Sequence, residues 1–280
     1  MKPGFLYQKT TMSIDPTKIR ALILDMDGVL WRGTQPIGDL PSIFADIEKL
    51  NLKVVLATNN ATKSINQFLG KLESFGVSLD PWQIVNSAQA TAHYLSQEYP
   101  DGGPVFVVGE SGLVEILQEN GFVFSDENPI AVVVAMDTSI NYEKLRKATL
   151  LIRSGVPFIG TNPDRTFPTP DGQVPGAGSF LATIEAATDI QPIVIGKPNP
   201  AMYQFALERL GTTPEETLVV GDRLETDIAG SQKLGSPCAL VLSGVTNEES
   251  AWAWQPPPDI IADSLTNIIR DLKFLTGQDN

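Results

Sequence analysis

The sequence predicts an α/β protein, a parallel sheet flanked by helices with a second, smaller α/β domain inserted into it. Three observations carry this expectation. Short apolar runs at Ala21–Leu24, Val54–Ala57, Ile193–Ile195, Leu218–Val220 and Ala239–Leu242 each end in small or polar residues and precede a helical pattern. Runs that are apolar throughout suit strands buried on both faces, as parallel sheets require. A second alternating set occupies the middle of the chain, with strands at Val105–Val108 and Ala131–Ala135, a helix at Asn141–Ser154 and a strand at Pro157–Gly160. The length, 280 residues, also exceeds a typical single domain.

The elements follow in order. Residues 1–81 form the first part of the larger domain, 82–189 the inserted domain, and 190–280 the second part. The junctions fall at Asp80-Pro81 and at Asp189–Pro192, where proline and turn-forming residues interrupt the pattern. Gln255–Pro258 reads as a surface loop before a final helix at Leu265–Leu275.

Composition narrows the class of function. With 20 Lys+Arg against 33 Asp+Glu, the formal charge of −13 repels nucleic acid and anionic membrane, and no basic cluster offsets it. Cys238 is the only cysteine, which rules out an intramolecular disulfide or a cysteine cage for metal and favours a reducing compartment. It reads as a small buried apolar residue. The amino-terminal MKPGFLYQKTTMSIDP lacks the apolar stretch of a secretory signal, and no run is long enough to span a bilayer. A cytoplasmic location is expected.

Four segments carry chemistry. In the first, the apolar run ending at Leu24 enters two carboxylates, Asp25 and Asp27, followed by Gly28. Two acids at a strand end repel each other unless paired, and Mg²⁺ suits them because it takes a few carboxylate oxygens while keeping waters and substrate phosphate. Taken alone, Asp-x-Asp-Gly reads equally as a solvated turn. In the second segment, Val54–Ala57 leads into Thr58 and Asn59, whose hydroxyl and loop amide suit phosphate oxygens, while Asn60 or Thr62 reads as a helix cap. In the third, Lys197 stands just past an apolar run, between Gly196 and Pro198, which restricts where its ammonium can reach. In the fourth, Leu218–Val220 precedes Asp222, and Asp227 opens the next helix, where its charge also suits the helix dipole.

Together, in this order, these segments resemble the four motifs of the haloacid dehalogenase superfamily. Within it the chain looks like the nitrophenylphosphatase, or NagD-like, branch, which includes phosphoglycolate, pyridoxal-phosphate and nucleotide phosphatases. Thr161-Asn162-Pro163-Asp164, Pro175–Ser179, Gly196-Lys197-Pro198 and Ser243–Thr246 followed by Pro258-Asp259 echo that branch. The resemblance implies a Rossmann-like core with a type IIA cap, and a phosphatase working through an aspartyl-phosphate. Asp25 would attack phosphorus, and Asp27 would protonate the leaving oxygen and then activate water. Thr58, the Asn59 amide and Lys197 would hold the phosphoryl group. Mg²⁺ would be held by Asp25, the Asp27 carbonyl and Asp222, with Asp227 in support.

The same resemblance assigns substrate choice to the cap, with Asp137, Thr138, Asn162 and Asp164 as candidate lining residues, and suggests a homodimer through the cap. The expected partner is a small phosphorylated metabolite. A phosphotransferase or mutase using the same aspartate, and a non-catalytic phosphometabolite-binding protein, stay open as alternatives. His93, the only histidine, reads as structural, and Trp252 and Trp254 as packing for the last loop or an interface.

Overall fold

A computed structural model describes residues 14–169 and 171–277; residues 1–13 of the stretch read for a secretory signal lie outside them. The chain divides into two compact units, Met1–Val54 with Thr212–Asn280, and Val55–Gly211. Both are built on parallel strands with helices between, the predicted class.

In the first unit the strands Ile260–Ala262, Cys238–Val241, Thr217–Gly221 and Ala21–Leu24 are neighbours in that order, all parallel. Every residue of the Ala21–Leu24, Thr217–Gly221 and Cys238–Val241 strands is buried, which explains why they read as unbroken apolar runs. The helices Leu40–Lys49 and Leu265–Leu275 turn apolar stripes inward through Leu40, Ile43 and Ile47, and through Leu265, Ile268, Ile269 and Leu272. Lys273 and Asp46 join these two helices at 3.0 Å. Trp254 packs beside Leu224, Leu240 and Ile261 and donates to Gln232 Oε1 at 3.2 Å, holding the last loop as expected.

In the second unit five parallel strands run in the order Ile193–Val194, Phe158–Gly160, Ala131–Val134, Gly103–Val108 and Phe122–Phe124. Phe106, Val132, Val134, Phe158, Ala148, Ile152, Leu181 and Ile184 form its core with the helices Tyr142–Arg153 and Ala177–Thr188. Each large apolar side chain buried there contributes roughly 1.5–3 kcal/mol. The Lys53–Thr58 strand begins in the first unit and continues into the second, where it pairs with Ile84–Asn86.

Two pairings depart from the expected grouping. Ile193–Val194 was grouped with the strands of the larger domain, yet it pairs with Phe158–Gly160. Ile84–Asn86, inside the 82–189 segment, pairs with Lys53–Thr58 rather than with the five-stranded sheet. Backbone hydrogen bonds between distant segments decide both pairings, and hydrophobic pattern does not encode them. A third departure is local. The helix Ile65–Ser74 is capped by Ser64 in a reciprocal pair with Gln67, not by Asn60 or Thr62. Asn60 Oδ1 instead accepts from Thr62 N at 2.9 Å and from Thr62 Oγ1 at 2.7 Å, shaping the loop before that helix.

His93 lies in the helix Ser87–Glu98, stacked on Phe205 with ring centroids 4.3 Å apart and 3.0 Å from Glu208 Oε2. Arg209 covers the Phe205 ring at 4.3 Å, so this cluster joins two helices. No helix among the described residues is long and apolar enough to cross a membrane.

Candidate active site

In the first unit, parallel pairing of Ala21–Leu24 with Thr217–Gly221 sets Leu24 opposite Val220, so Asp25, the next residue, and Asp222, two residues beyond Val220, leave the ends of neighbouring strands. The Asp25 N–H continues the ladder to Val220 O at 2.9 Å. Asp227 reaches the same place from a π-helical turn, Leu224–Ile228, in which the Ile228 N–H bonds Arg223 O at 3.2 Å. Such turns widen the helix and commonly redirect a functional side chain. Carboxylate oxygens of Asp25, Asp222 and Asp227 lie within 4.8 Å of one another.

Asp222 and Asp227 are each only 2% exposed. Burying like charges together is costly, and a divalent cation held among the three would offset their repulsion. The hard oxygen donors suit a hard divalent cation rather than a soft metal. Asp222 is held by the Val245 N–H, which donates to Oδ2 at 2.8 Å, and Asp227 by the Arg223 N–H at 3.2 Å. The backbone closes tightly around the cluster. A Cβ on Gly244 would stand 1.9 Å from Asp222 Oδ2, and one on Gly28, where φ is +88°, 2.3 Å from the same atom.

Asp27 is exposed. Its Oδ1 accepts the indole N–H of Trp31 at 2.8 Å.

In the second unit, Thr58 ends its strand buried, with Oγ1 accepting from Asn60 N at 3.1 Å. The Asn59 side chain grips the Lys197 backbone on both sides: Oδ1 accepts from Lys197 N at 2.8 Å, and Nδ2 donates to Lys197 O at 3.0 Å. The Lys197 ammonium donates to Ala57 O at 3.0 Å, and the residue is 3% exposed. A lysine this buried and this tethered is no solvated surface charge. Thr58, Asn59 and Lys197, predicted from separate segments, are thus brought together by one strand end.

A family model described as haloacid dehalogenase-like hydrolase matches residues 22–123, and a second, described as HAD-hydrolase-like, matches residues 194–268. The 5'-nucleotidase YutF of Bacillus subtilis is 36% identical over 250 residues, which cover 89% of this chain and 97% of that protein. The chain belongs to the haloacid dehalogenase superfamily. The dihydroxyacetone phosphatase of Corynebacterium glutamicum is 35% identical over 88% of this chain and 89% of its own length. Among solved structures, the p-nitrophenyl phosphatase from Archaeoglobus fulgidus superposes with a TM-score of 0.85 at 32% identity, covering 90% of this chain and 99% of that one. This member of the superfamily falls in its NagD-like, nitrophenylphosphatase branch and is an enzyme that hydrolyses phosphate esters.

In this haloacid dehalogenase hydrolase the four residues expected to line the cap all have intramolecular partners. Asp137 is buried. Its Oδ2 accepts from Lys144 Nζ at 2.7 Å, and its Oδ1 accepts from Ser139 N and Oγ at 2.8 Å each. Burial alone would push this carboxyl up, but the Lys144 and Ser139 hydrogen bonds outweigh it and hold the group below its ordinary value. Thr138 donates from N at 2.7 Å and from Oγ1 at 2.5 Å to Glu110 Oε1. Asn162 donates to Asn59 O at 2.9 Å, and Asp164 Oδ1 accepts from Asn59 Nδ2 at 3.3 Å, so both brace the Asn59 and Lys197 bracket. Cys238 is buried as expected, and burial pushes its thiol up to about 11.

The sequence reading passes over Trp31, and it meets Gly244 and Val245 only as part of the Ser243–Thr246 echo, with no role for either. Their roles depend on approach distance and on a backbone N–H, neither of which leaves a mark in composition. For Trp31 the available signal was its position, four residues beyond Asp27.

Proposed function

We propose that this enzyme is a Mg²⁺-dependent phosphatase that hydrolyses small-molecule phosphate monoesters through an aspartyl-phosphate on Asp25, with Asp27 as general acid and base. The observation that carries this reading is the gathering of Asp25 and Asp222, at the ends of parallel strands, with Asp227 from the following π-helical turn, their carboxylate oxygens within 4.8 Å of one another.

An Asp25 carboxylate oxygen attacks phosphorus as the ester P–O bond breaks, and Asp27 delivers a proton to the departing oxygen. Asp27 then takes a proton from the water that attacks the acyl phosphate, releasing inorganic phosphate and restoring Asp25. Asp25, the Asp27 carbonyl, Asp222 and Asp227 would hold the metal. When bound, Mg²⁺ supplies positive charge against the phosphoryl oxygens. Thr58, the Asn59 backbone amide and Lys197 are assigned to the transferring group. The Asn59 clamp on the Lys197 backbone and the tether of its ammonium to Ala57 O support its part, because a fixed ammonium needs no reorganisation as charge develops.

Relatives named for a nucleotide and for dihydroxyacetone phosphate point to a shared phosphate chemistry with different leaving groups. Leaving-group choice is assigned to the 82–189 cap, with Asp137, Thr138, Asn162 and Asp164 acting through the loops they shape. A homodimer through the cap and a cytoplasmic location complete the reading; light scattering and fractionation test them.

The deciding experiment is phosphate release from p-nitrophenyl phosphate and a metabolite panel, with Mg²⁺ and then with chelator, for wild type and Asp25→Asn. Release that needs both Mg²⁺ and Asp25 is expected. Release by folded Asp25→Asn at the wild-type rate overturns the nucleophile assignment.

A further inference from the structure

Asp27 sits on the surface, where a carboxyl ordinarily samples several rotamers, yet acid–base transfer needs it held in one. Trp31 is its opposite, 1% exposed and among the largest fully buried side chains. The two are tied by an indole N–H donated to Asp27 Oδ1 at 2.8 Å. The backbone between them is closed as well: the Gly28 N–H donates to Trp31 O at 2.8 Å, and Leu30 N and Trp31 N reach Met26 O at 2.9 and 3.3 Å. Trp31–Arg32 then pairs with Gln35–Pro36, which anchors the far side of the turn.

We propose that Trp31 is a positioning residue that orients Asp27 so that Oδ2 carries the proton passed to the leaving oxygen; this rests on the acid–base role assigned to Asp27 above. An indole N–H only donates. Oδ1 therefore meets a donor, and a proton placed there would face a second hydrogen. In the acid form the proton sits on Oδ2. It passes to the leaving oxygen as the Asp25 oxygen–phosphorus bond forms and the ester bond breaks, leaving the Asp27 carboxylate ready to accept a proton from water at the same oxygen. The buried ring acts as the rigid post, and the exposed carboxyl takes its direction from it.

The test removes the N–H and keeps the shape, with Trp31→3-benzothienylalanine as the first variant and Trp31→Phe as the second. Single-turnover phosphoryl transfer is measured with an alkyl phosphate, whose leaving group needs a proton, and with p-nitrophenyl phosphate, whose phenolate departs without one. Expected is a slowing of about tenfold for the alkyl ester and less than about twofold for the nitrophenyl ester, with KM unchanged for both. Equal slowing of the two esters, or a change confined to KM, overturns the proposal. Asp27→Asn, measured alongside, separates the two readings. Wild-type alkyl turnover in Asp27→Asn sinks the acid–base assignment itself. A disabled Asp27→Asn beside an unaffected Trp31 variant removes only the positioning role.

Discussion

Replacing Gly28 by alanine should disable the carboxylate cluster without touching a carboxylate. The residue sits at φ +88°, and an added Cβ would stand 2.3 Å from Asp222 Oδ2 and 2.6 Å from its Cγ. Left-handed backbone costs a side-chain-bearing residue roughly 1–2 kcal/mol. Reaching ordinary contact then requires Asp222 to retreat by about 1 Å. That carboxylate is 2% exposed and held by the Val245 N–H at 2.8 Å, so the retreat breaks its own support.

Gly33 supplies the matched control, at φ +55° with nothing within 4 Å of an added Cβ. Gly33→Ala should pay the backbone term alone, lowering the unfolding midpoint by about 2–8 °C at ~2–4 °C per kcal/mol. Gly28→Ala should fall further in stability, lose about tenfold or more in Mg²⁺ affinity and about a hundredfold in turnover. Thermal unfolding, Mg²⁺ titration calorimetry and phosphate release measure these quantities. Wild-type Mg²⁺ affinity and turnover in folded Gly28→Ala would refute the reasoning, because the cluster would then tolerate a displaced Asp222.

Three other outcomes are expected. Asn59→Ala removes the side-chain hydrogen bonds to Lys197 N and O and to Asp164, and should cost about 2–4 kcal/mol in urea unfolding along with a fall in kcat. Asp137→Asn should cost about 1–3 kcal/mol at neutral pH. Because the native carboxyl is held below its ordinary value, its contribution is fully present above the unfolded value of about 4 and is lost as pH falls through the lower native one, so the variant should show a flatter acid limb in stability against pH. Cys238, buried with its thiol pushed up to about 11, should resist alkylation at pH 8 in the native protein and react once the protein unfolds.

What could be read from the sequence followed from local chemistry. Ala21–Leu24 and Leu265–Leu275 form the predicted strand and helix to the residue, because an unbroken apolar run and a helical stripe each report their own burial. Asp25 and Asp222 were legible for a related reason, since each brings a charge directly after an apolar strand, and Asp227 was legible from its place five residues beyond Asp222. The side-chain work of Asn59 was not. Its amide was expected at phosphate, and its side chain proves to clamp Lys197, a residue 138 positions away. The partner of Ile193–Val194 was hidden likewise, since a two-residue strand is too short to show a period. The Phe122–Phe124 strand escaped notice because three residues are too few to show a period, and in the fold two of them, Val123 and Phe124, are exposed at a sheet edge.

The central claim is covalent, and acid-quenched mass spectrometry of the enzyme during turnover tests it most directly. A hydroxylamine-sensitive phosphoryl group on the peptide containing Asp25, absent from Asp25→Asn, is predicted. A phosphoryl group on another residue, or steady turnover with no phosphoenzyme at any quench time, would contradict it.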